Sequence, residues 1–316
     1  VPIVSIITPC YNGAEFVERT ITSALHQTFQ EWELVVVDDG SVDESVSLVE
    51  ALQCCDSRVH LVRQDNGGVS KARNMGYATC DFGSRYLWFL DADDCLDPDA
   101  LQAMTDYLDQ HPEVGLVYCD YREIDGVGRP LTPPDTLQFV HTRWTRTPTG
   151  IAPIAANCPE TPFASLLAWN TVFPSICLLR RSVYEQTQGW DEMFRHGYED
   201  VDLILQMALL AEVHYFPHVF VSCRIHENNK TTQDRGRQRE QRHRLTAKLM
   251  MGQGMTPAQR DTVRSALYFE MRILGPRLCL RRAWESLAQG SLLECGRHCF
   301  RAARHFFDYW AATHTA

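Results

Sequence analysis

Within the first 120 residues, short β-rich apolar runs alternate with helical patterns, and this alternation restricts the fold more than any other feature of the chain. Val4–Thr8, Glu33–Val37, Val59–Val62, Tyr86–Leu90 and Gly115–Cys119 read as strands, with helical stretches at about 14–27, 43–54, 69–79 and 98–110 between them. The strands are nearly continuous in apolar residues, the pattern of a parallel sheet covered on both faces. The expected class is therefore α/β with a mainly parallel central sheet. Ligands in such sheets bind outside the carboxyl ends of the strands. Three of those ends carry polar signals: Thr8-Pro9-Cys10-Tyr11-Asn12, Asp38-Asp39-Gly40-Ser41 and Asp91-Ala92-Asp93.

The last of these is the most specific. Asp91, Asp93, Asp94 and Asp97 fall within seven residues of a buried strand. Carboxylates one residue apart on an extended strand point the same way and repel, unless a hard cation such as Mg²⁺ or Mn²⁺ lies between them and in turn holds a diphosphate. Capping of a helix starting at Pro98 explains one or two of these aspartates but not all four. After the second strand, Ser41 or Asp39 can simply start the helix at 43, or the carboxylates of Asp38 and Asp39 can accept from a ribose hydroxyl or base N–H. The run Asp65-Asn66-Gly67-Gly68-Val69-Ser70-Lys71-Ala72-Arg73-Asn74 opens a helix suited to an anion; taken alone, it reads better as a turn with a solvated basic face. Glu199, Asp200 and Asp202 suit the N-terminus of an apolar helix on dipole grounds alone. His226, by itself, is a polar residue at a strand end.

Further along, residues 122–168 are rich in Pro, Thr and Gly and read as a long irregular insertion. A strand at about 175–180, a turn at Gly189-Trp190-Asp191-Glu192, a helix near 199–211 and an apolar run at 213–223 follow. Charge divides the chain at about residue 230. Residues 1–230 carry 33 Asp and Glu against 15 Lys and Arg, and residues 231–316 carry 7 against 15. Two segments with different jobs are expected: 1–230 a catalytic domain, 231–316 a basic helical region broken near Gly252–Pro257, Gly275-Pro276 and Gly290. In the latter, 295–310 has the pattern of an amphipathic helix with aromatic and arginine faces. It suits docking onto the catalytic domain or self-association, or else peripheral contact with an anionic membrane. No nucleic-acid module accompanies the arginines, so no nucleic-acid partner is expected. Twelve cysteines without a CxxC pair fit free thiols and a cytoplasmic location, with the membrane face as an alternative.

Taken together, these segments resemble a family-2 glycosyltransferase of the GT-A fold over about residues 3–230. The resemblance rests on Pro9-Cys10-Tyr11-Asn12, Val37-Asp38-Asp39-Gly40-Ser41, Asn66-Gly67-Gly68 through Ala72-Arg73-Asn74, Leu90-Asp91-Ala92-Asp93-Asp94, Gly189-Trp190-Asp191-Glu192, Glu199-Asp200 and Arg224-Ile225-His226, in that order. It implies that Pro9, Tyr11 and Asp39 form the base-and-ribose pocket, with Asn66 and Arg73 contributing to uridine recognition. Asp91 and Ala92 would lie on the nucleotide-sugar, Asp93 and His226 on a Mn²⁺ or Mg²⁺ ion, and Trp190, Asp191, Glu192 and Glu199 on the acceptor side. Asp200 would be the base of an inverting transfer from a nucleotide diphosphate sugar, by family habit a UDP-sugar, to a hydroxyl of a glycan or lipid-linked acceptor in cell-surface polysaccharide synthesis. A sugar nucleotidyltransferase is the first rival, but Pro9–Glu15 lacks the basic residue that class carries near its first strand. A non-catalytic nucleotide-sugar-binding module is the second; Asp93 and Asp200 are both present, which argues against it.

Overall fold

The computed structural model describes residues 1–131, 144–147, 150–154, 158–168, 172–194, 197–226, 235–252, 255–269 and 279–280. The elements follow in chain order: β1 Val4–Cys10, α1 Val17–Leu25, β2 Trp32–Asp38, α2 Ser45–Cys55, β3 Val59–Arg63, α3 Val69–Thr79, β4 Tyr86–Phe89, β5 Cys95–Leu96, α4 Ala100–Gln110 and β6 Val114–Ile124. After these come β7 Trp144–Thr147, β8 Gly150–Pro153, α5 Phe163–Ala168, β9 Cys177–Arg180, α6 Arg181–Tyr184, α7 Glu199–Ala208, β10 Glu212–Arg224, α8 Arg235–Met251 and α9 Pro257–Phe269.

Eight strands form one sheet in the order β3-β2-β1-β4-β9-β6-β10-β5. The pairs β1–β2, β1–β4, β2–β3 and β6–β10 are parallel, whereas β9 runs antiparallel between β4 and β6, and β5 antiparallel beside β10. A mainly parallel α/β sheet is therefore present. Strands β1, β2 and β4 are buried along nearly their whole length, with Ile6, Ile7, Leu34, Val36, Val37, Leu87, Trp88 and Phe89 in the core. Burial on both faces follows from the helices that cover them; α1, for example, buries Val17, Thr20, Ile21 and Ala24, one side of a 3.6-residue repeat.

The topology also fixes where a ligand can enter. From β1 the chain steps outward to β2 and β3, then returns to place β4 on the other side of β1. That reversal is a topological switch point at the carboxyl ends of β1 and β4, the kind of place where open α/β sheets take their ligands. The parallel register sets Cys10 beside Asp38 and Ile7 beside Phe89. Loops that are 30 to 80 residues apart in sequence thus meet on one rim.

Two sequence expectations are modified. The segment 122–168 is not irregular throughout: β6 runs on to Ile124, β7 and β8 form an antiparallel ladder, and α5 lies at its end. Its Pro and Thr content masked these short elements. The acidic cluster, moreover, is not in extended strand. Strand β4 ends at Phe89, and Asp91–Asp94 form a turn in which Asp94 N donates to Asp91 O at 3.2 Å. The predicted amphipathic helix at 295–310 and the breaks at Gly275-Pro276 and Gly290 lie outside the described residues. Among the described residues no helix is long and apolar enough to cross a membrane.

Candidate active site

The rim is assembled loop by loop. After β1, Asn12 adopts a left-handed backbone (φ 50°), which the short polar side chain of Asn tolerates. Its N–H donates to Ser41 Oγ at 2.9 Å, and its Oδ1 accepts from Val42 N at 2.9 Å. Gly13 N donates to Ser45 Oγ and Ala14 N to Asp43 Oδ2, at 2.9 and 3.0 Å. These bonds tie the loop after β1 to the loop after β2. Tyr11, beyond Pro9, is left 53% exposed on the rim, free to stack on a planar ligand.

Asp39 is placed differently from a simple ribose acceptor. Its Oδ1 accepts from Gln64 Nε2 at 2.7 Å and Gly67 N at 2.8 Å, and its Oδ2 accepts from Gly68 N at 2.8 Å. Asn66 Nδ2 donates to Asp39 O at 3.0 Å. The buried carboxylate thus organises the glycine turn that opens α3. Gly40 (φ 78°) and Gly68 (φ 92°) allow the chain to turn there, and a Cβ on Gly40 would come within 3.0 Å of Asn66 N.

Arg73, on α3, points into the protein and is 3% exposed. Its Nη2 donates to Asp91 Oδ1 at 2.8 Å, its Nη1 lies 3.5 Å from Glu199 Oε1, and its guanidinium sits 4.3 Å from the centre of the Trp190 ring. Burial by itself opposes the charge, but Asp91 and Glu199 outweigh it and raise the pKa. The guanidinium therefore joins the acidic turn after β4 to the start of α7. Neighbouring Asn74 secures the glycine turn: its Nδ2 donates to Trp190 O at 2.8 Å and its Oδ1 accepts from Trp190 N at 3.1 Å. Nδ2 also approaches Glu192 Oε1 at 3.4 Å.

In the acidic turn, Asp91 N donates to Ser175 Oγ at 3.1 Å and Ala92 O accepts from Thr20 Oγ1 at 2.8 Å. Beyond β10, His226 Nε2 lies 3.0 Å from Asp93 Oδ2, and its ring packs 4.7 Å from that of Phe16. Arg224 clamps the turn from below, its backbone N donating to Asp94 Oδ1 and its Nε to Asp93 O, both at 3.1 Å. Burial and then the charge of Asp91 raise the pKa of Asp93, against the lowering by His226. Asp94 is pushed well up by burial and by its neighbours Asp93 and Asp91. Such a cluster gains from a positive ligand.

Asp200 begins α7 just after Tyr198, whose left-handed backbone (φ 75°) is uncommon for an aromatic residue. Burial, followed by the charge of Glu199, raises the Asp200 pKa to about 7, although Val201 N donates to its Oδ1 at 2.7 Å. A carboxylate poised there can exchange a proton near neutral pH. Arg73 Nε, Glu199 Oε2 and Trp190 Nε1, buried in the same region, have no hydrogen-bond partner within the protein.

Hydrogen bonds and ion pairs link the loops after β1 and β2, the glycine turn that opens α3, the Asp91–Asp94 turn, Trp190, Glu199 and His226. The sequence reading missed Ser175, Gln64 and the role of Arg224. Ser175 precedes β9 without any motif, and only the antiparallel insertion of β9 beside β4 brings it to Asp91.

Residues 5–186, more than half of the chain, match the family model described as Glycosyl transferase family 2, and the chain belongs to that family. A chondroitin synthase of Escherichia coli is 34% identical over 128 residues, 40% of this chain and 18% of that protein. The chain spans less than half the length of several curated relatives it matches. Among solved structures, Staphylococcus aureus TarS 1-349 in complex with UDP-GlcNAc superposes with a TM-score of 0.61 at 15% identity, over 95% of this chain and 91% of that one. The mannosyltransferase PcManGT of Pyrobaculum calidifontis, in complex with GDP-Man and Mn²⁺, gives 0.58 at 18% identity over 97% and 88%. At these identities the likeness establishes the shared fold. Among the described residues no group of three or more His, Cys, Asp and Glu side chains is arranged to hold a metal ion.

Proposed function

We propose that the chain transfers a sugar, with inversion, from a nucleotide diphosphate sugar to a hydroxyl of a glycan or lipid-linked acceptor. The observation that carries this reading is geometric: the carboxylate turn at the sheet's switch point, with Asp93 beside His226, is joined through the buried Arg73 to Glu199 at the start of α7, where Asp200 follows. Tyr11 and Pro9, with the loop that Asp39 holds, would receive the nucleoside. Asp91 and Ala92 would face the diphosphate-sugar, and Trp190, Asp191, Glu192 and Glu199 the acceptor. A polysaccharide product is supported by the chondroitin synthase relative, and the fold is one that holds sugar nucleotides, UDP-GlcNAc in one solved structure and GDP-Man in another; the donor proposed here is a UDP-sugar. The free thiols of the ten described cysteines support action in the cytoplasm, at the membrane face where the acceptor is lipid-linked.

A divalent metal fits the residues present. Asp93 Oδ2 and His226 Nε2 offer one oxygen and one nitrogen, a set that suits Mn²⁺ better than Mg²⁺. Two protein donors are enough where a diphosphate and water complete the shell. When bound, the ion would supply Lewis-acid neutralisation of charge on the departing diphosphate. Asp93→Ala should then abolish the increment that Mn²⁺ adds to UDP binding in calorimetry; an unchanged increment would place the metal elsewhere.

In the transfer itself, Asp200 accepts the proton of the acceptor hydroxyl as that oxygen attacks the anomeric carbon from the face opposite the leaving group. Arg73 holds Asp91 and Glu199 in register, so that the donor-binding turn and the base helix keep a fixed separation. Incubation with a panel of nucleotide sugars, scored by release of nucleoside diphosphate, tests the proposal. At least one donor should be consumed, and a full panel left intact would remove the assignment.

A further inference from the structure

Among the described residues of the basic C-terminal region, Lys248 reaches the turn and helix on the acceptor side of the site. On α8, Lys248 places Nζ 2.8 Å from Asp191 Oδ2 and 2.8 Å from Asp202 Oδ2. The same Nζ lies 5.6 Å from the centre of the Phe194 ring. The two acids come from different elements: Asp191 from the glycine turn that Asn74 holds on its other side, Asp202 from the first turn of α7, two residues beyond Asp200. Asp202 is 2% exposed, and its Oδ2 also accepts from Gln206 Nε2 at 2.8 Å. Gln206 Oε1 in turn accepts from Gln188 N at 2.8 Å, just before Gly189. Lys248, Asp202, Gln206 and the 188–191 turn therefore close a ring of polar contacts.

We propose that Lys248 is a positioning residue that locks the first turn of α7, and with it Asp200, against the 188–194 turn. This rests on the reading of Asp200 as the base. Exposed ion pairs contribute little, but here the lysine and Asp191 side chains are only about a fifth exposed and Asp202 is buried. Without the ammonium group, two carboxylates that share one cation face each other in a poorly solvated space, and the first turn of α7 must shift to separate or hydrate them. Burial already raises the Asp202 pKa with the lysine in place. Docking of α8 does not depend on this charge, because Leu245 and Leu249 on the same helix are buried in the core. The charge is therefore separable from the packing, as a positioning role requires.

The test compares full-length wild type, Lys248→Met, which keeps the length of the apolar stem, and Lys248→Arg. The readouts are nucleoside diphosphate release from the donor found in the panel, with water as acceptor, and amide hydrogen exchange. Lys248→Met should lower kcat about ten- to a hundredfold, the scale of a small misplacement of a reacting group, while KM for the sugar nucleotide stays within about twofold. Amide exchange should quicken at 188–194 and 199–203 and stay unchanged in β1–β3, and Lys248→Arg should recover most of kcat. A Lys248→Met protein with wild-type kcat and exchange overturns the proposal. So does equal loss of kcat and donor binding, which would mark a merely structural role. If Lys248→Met does not fold, Lys248→Gln, which removes the charge but leaves an amide able to donate to one of the two carboxylates, carries the same comparison. A wild-type chain that consumes no donor removes the functional reading instead, and hydrogen exchange alone then decides whether Lys248 braces α7.

Discussion

Asp200 gains its chemical use from a position that costs stability. Its pKa, raised by burial and by Glu199, is about 7 in the folded chain against the usual 3.8. Between those values the folded chain retains a proton that the unfolded chain has released, so stability falls as pH rises through the window and the loss is complete above it. Asp200→Asn cannot ionise. Its melting temperature relative to wild type should therefore climb from about pH 4 to about pH 7 and then level off. A difference that stays flat over that range would show that Asp200 titrates normally. At this scale the sequence was informative about identity and less so about partners. Asp91 and Asp93 are legible from residue type and position, whereas Asp200 and His226 acquire a role only through the family resemblance. That Asp39 would be bound by Gln64, Gly67 and Gly68 was not legible, because bonds across 25 to 29 residues leave no local pattern.

Among the elements, α3 shows how tightly the rim is backed. A Cβ on Gly76 would come within 2.4 Å of Ile7 Cγ2 and 3.1 Å of Val37 Cγ2, so the helix rests directly on β1 and β2. Alanine normally gains about 0.5–1 kcal/mol over glycine inside a helix, but overpacking a filled core costs about 1–3 kcal/mol. The clash is with β-branched side chains buried in the sheet, so the second effect should win. Gly76→Ala is expected to lower stability by about 1–2 kcal/mol in denaturant titration, and a more stable variant would contradict this account of α3. Strand positions were legible for β1, β2, β3, β4 and β6 because each is a β-rich apolar run. The antiparallel direction of β9 and the two-residue β5 were not. Direction depends on how the chain returns to the sheet, and a strand of two residues carries no periodicity.

At the level of the whole molecule, the division of charge at residue 230 is real in composition, yet the two parts share a core. Leu245, Leu249, Val263, Ala266 and Leu267 from α8 and α9 belong to the same buried cluster as the sheet. The acidic excess of the first part and the basic excess of the second meet at Lys248, Asp191 and Asp202. That junction could not be read from the sequence, since Lys248 stands 46 residues from one partner and 57 from the other in a helix of many cations. What the sequence did convey was the convergence of strand ends, because the order of a parallel sheet places them on one side whatever the loops contain. The central claim is that this convergence binds a sugar nucleotide and that Asp200 activates the acceptor. One measurement tests it most directly: steady-state release of nucleoside diphosphate by wild type and Asp200→Asn, with nucleotide binding followed in parallel. The account predicts a kcat lowered about 10²–10⁴-fold with binding preserved. Wild-type turnover in Asp200→Asn would contradict it.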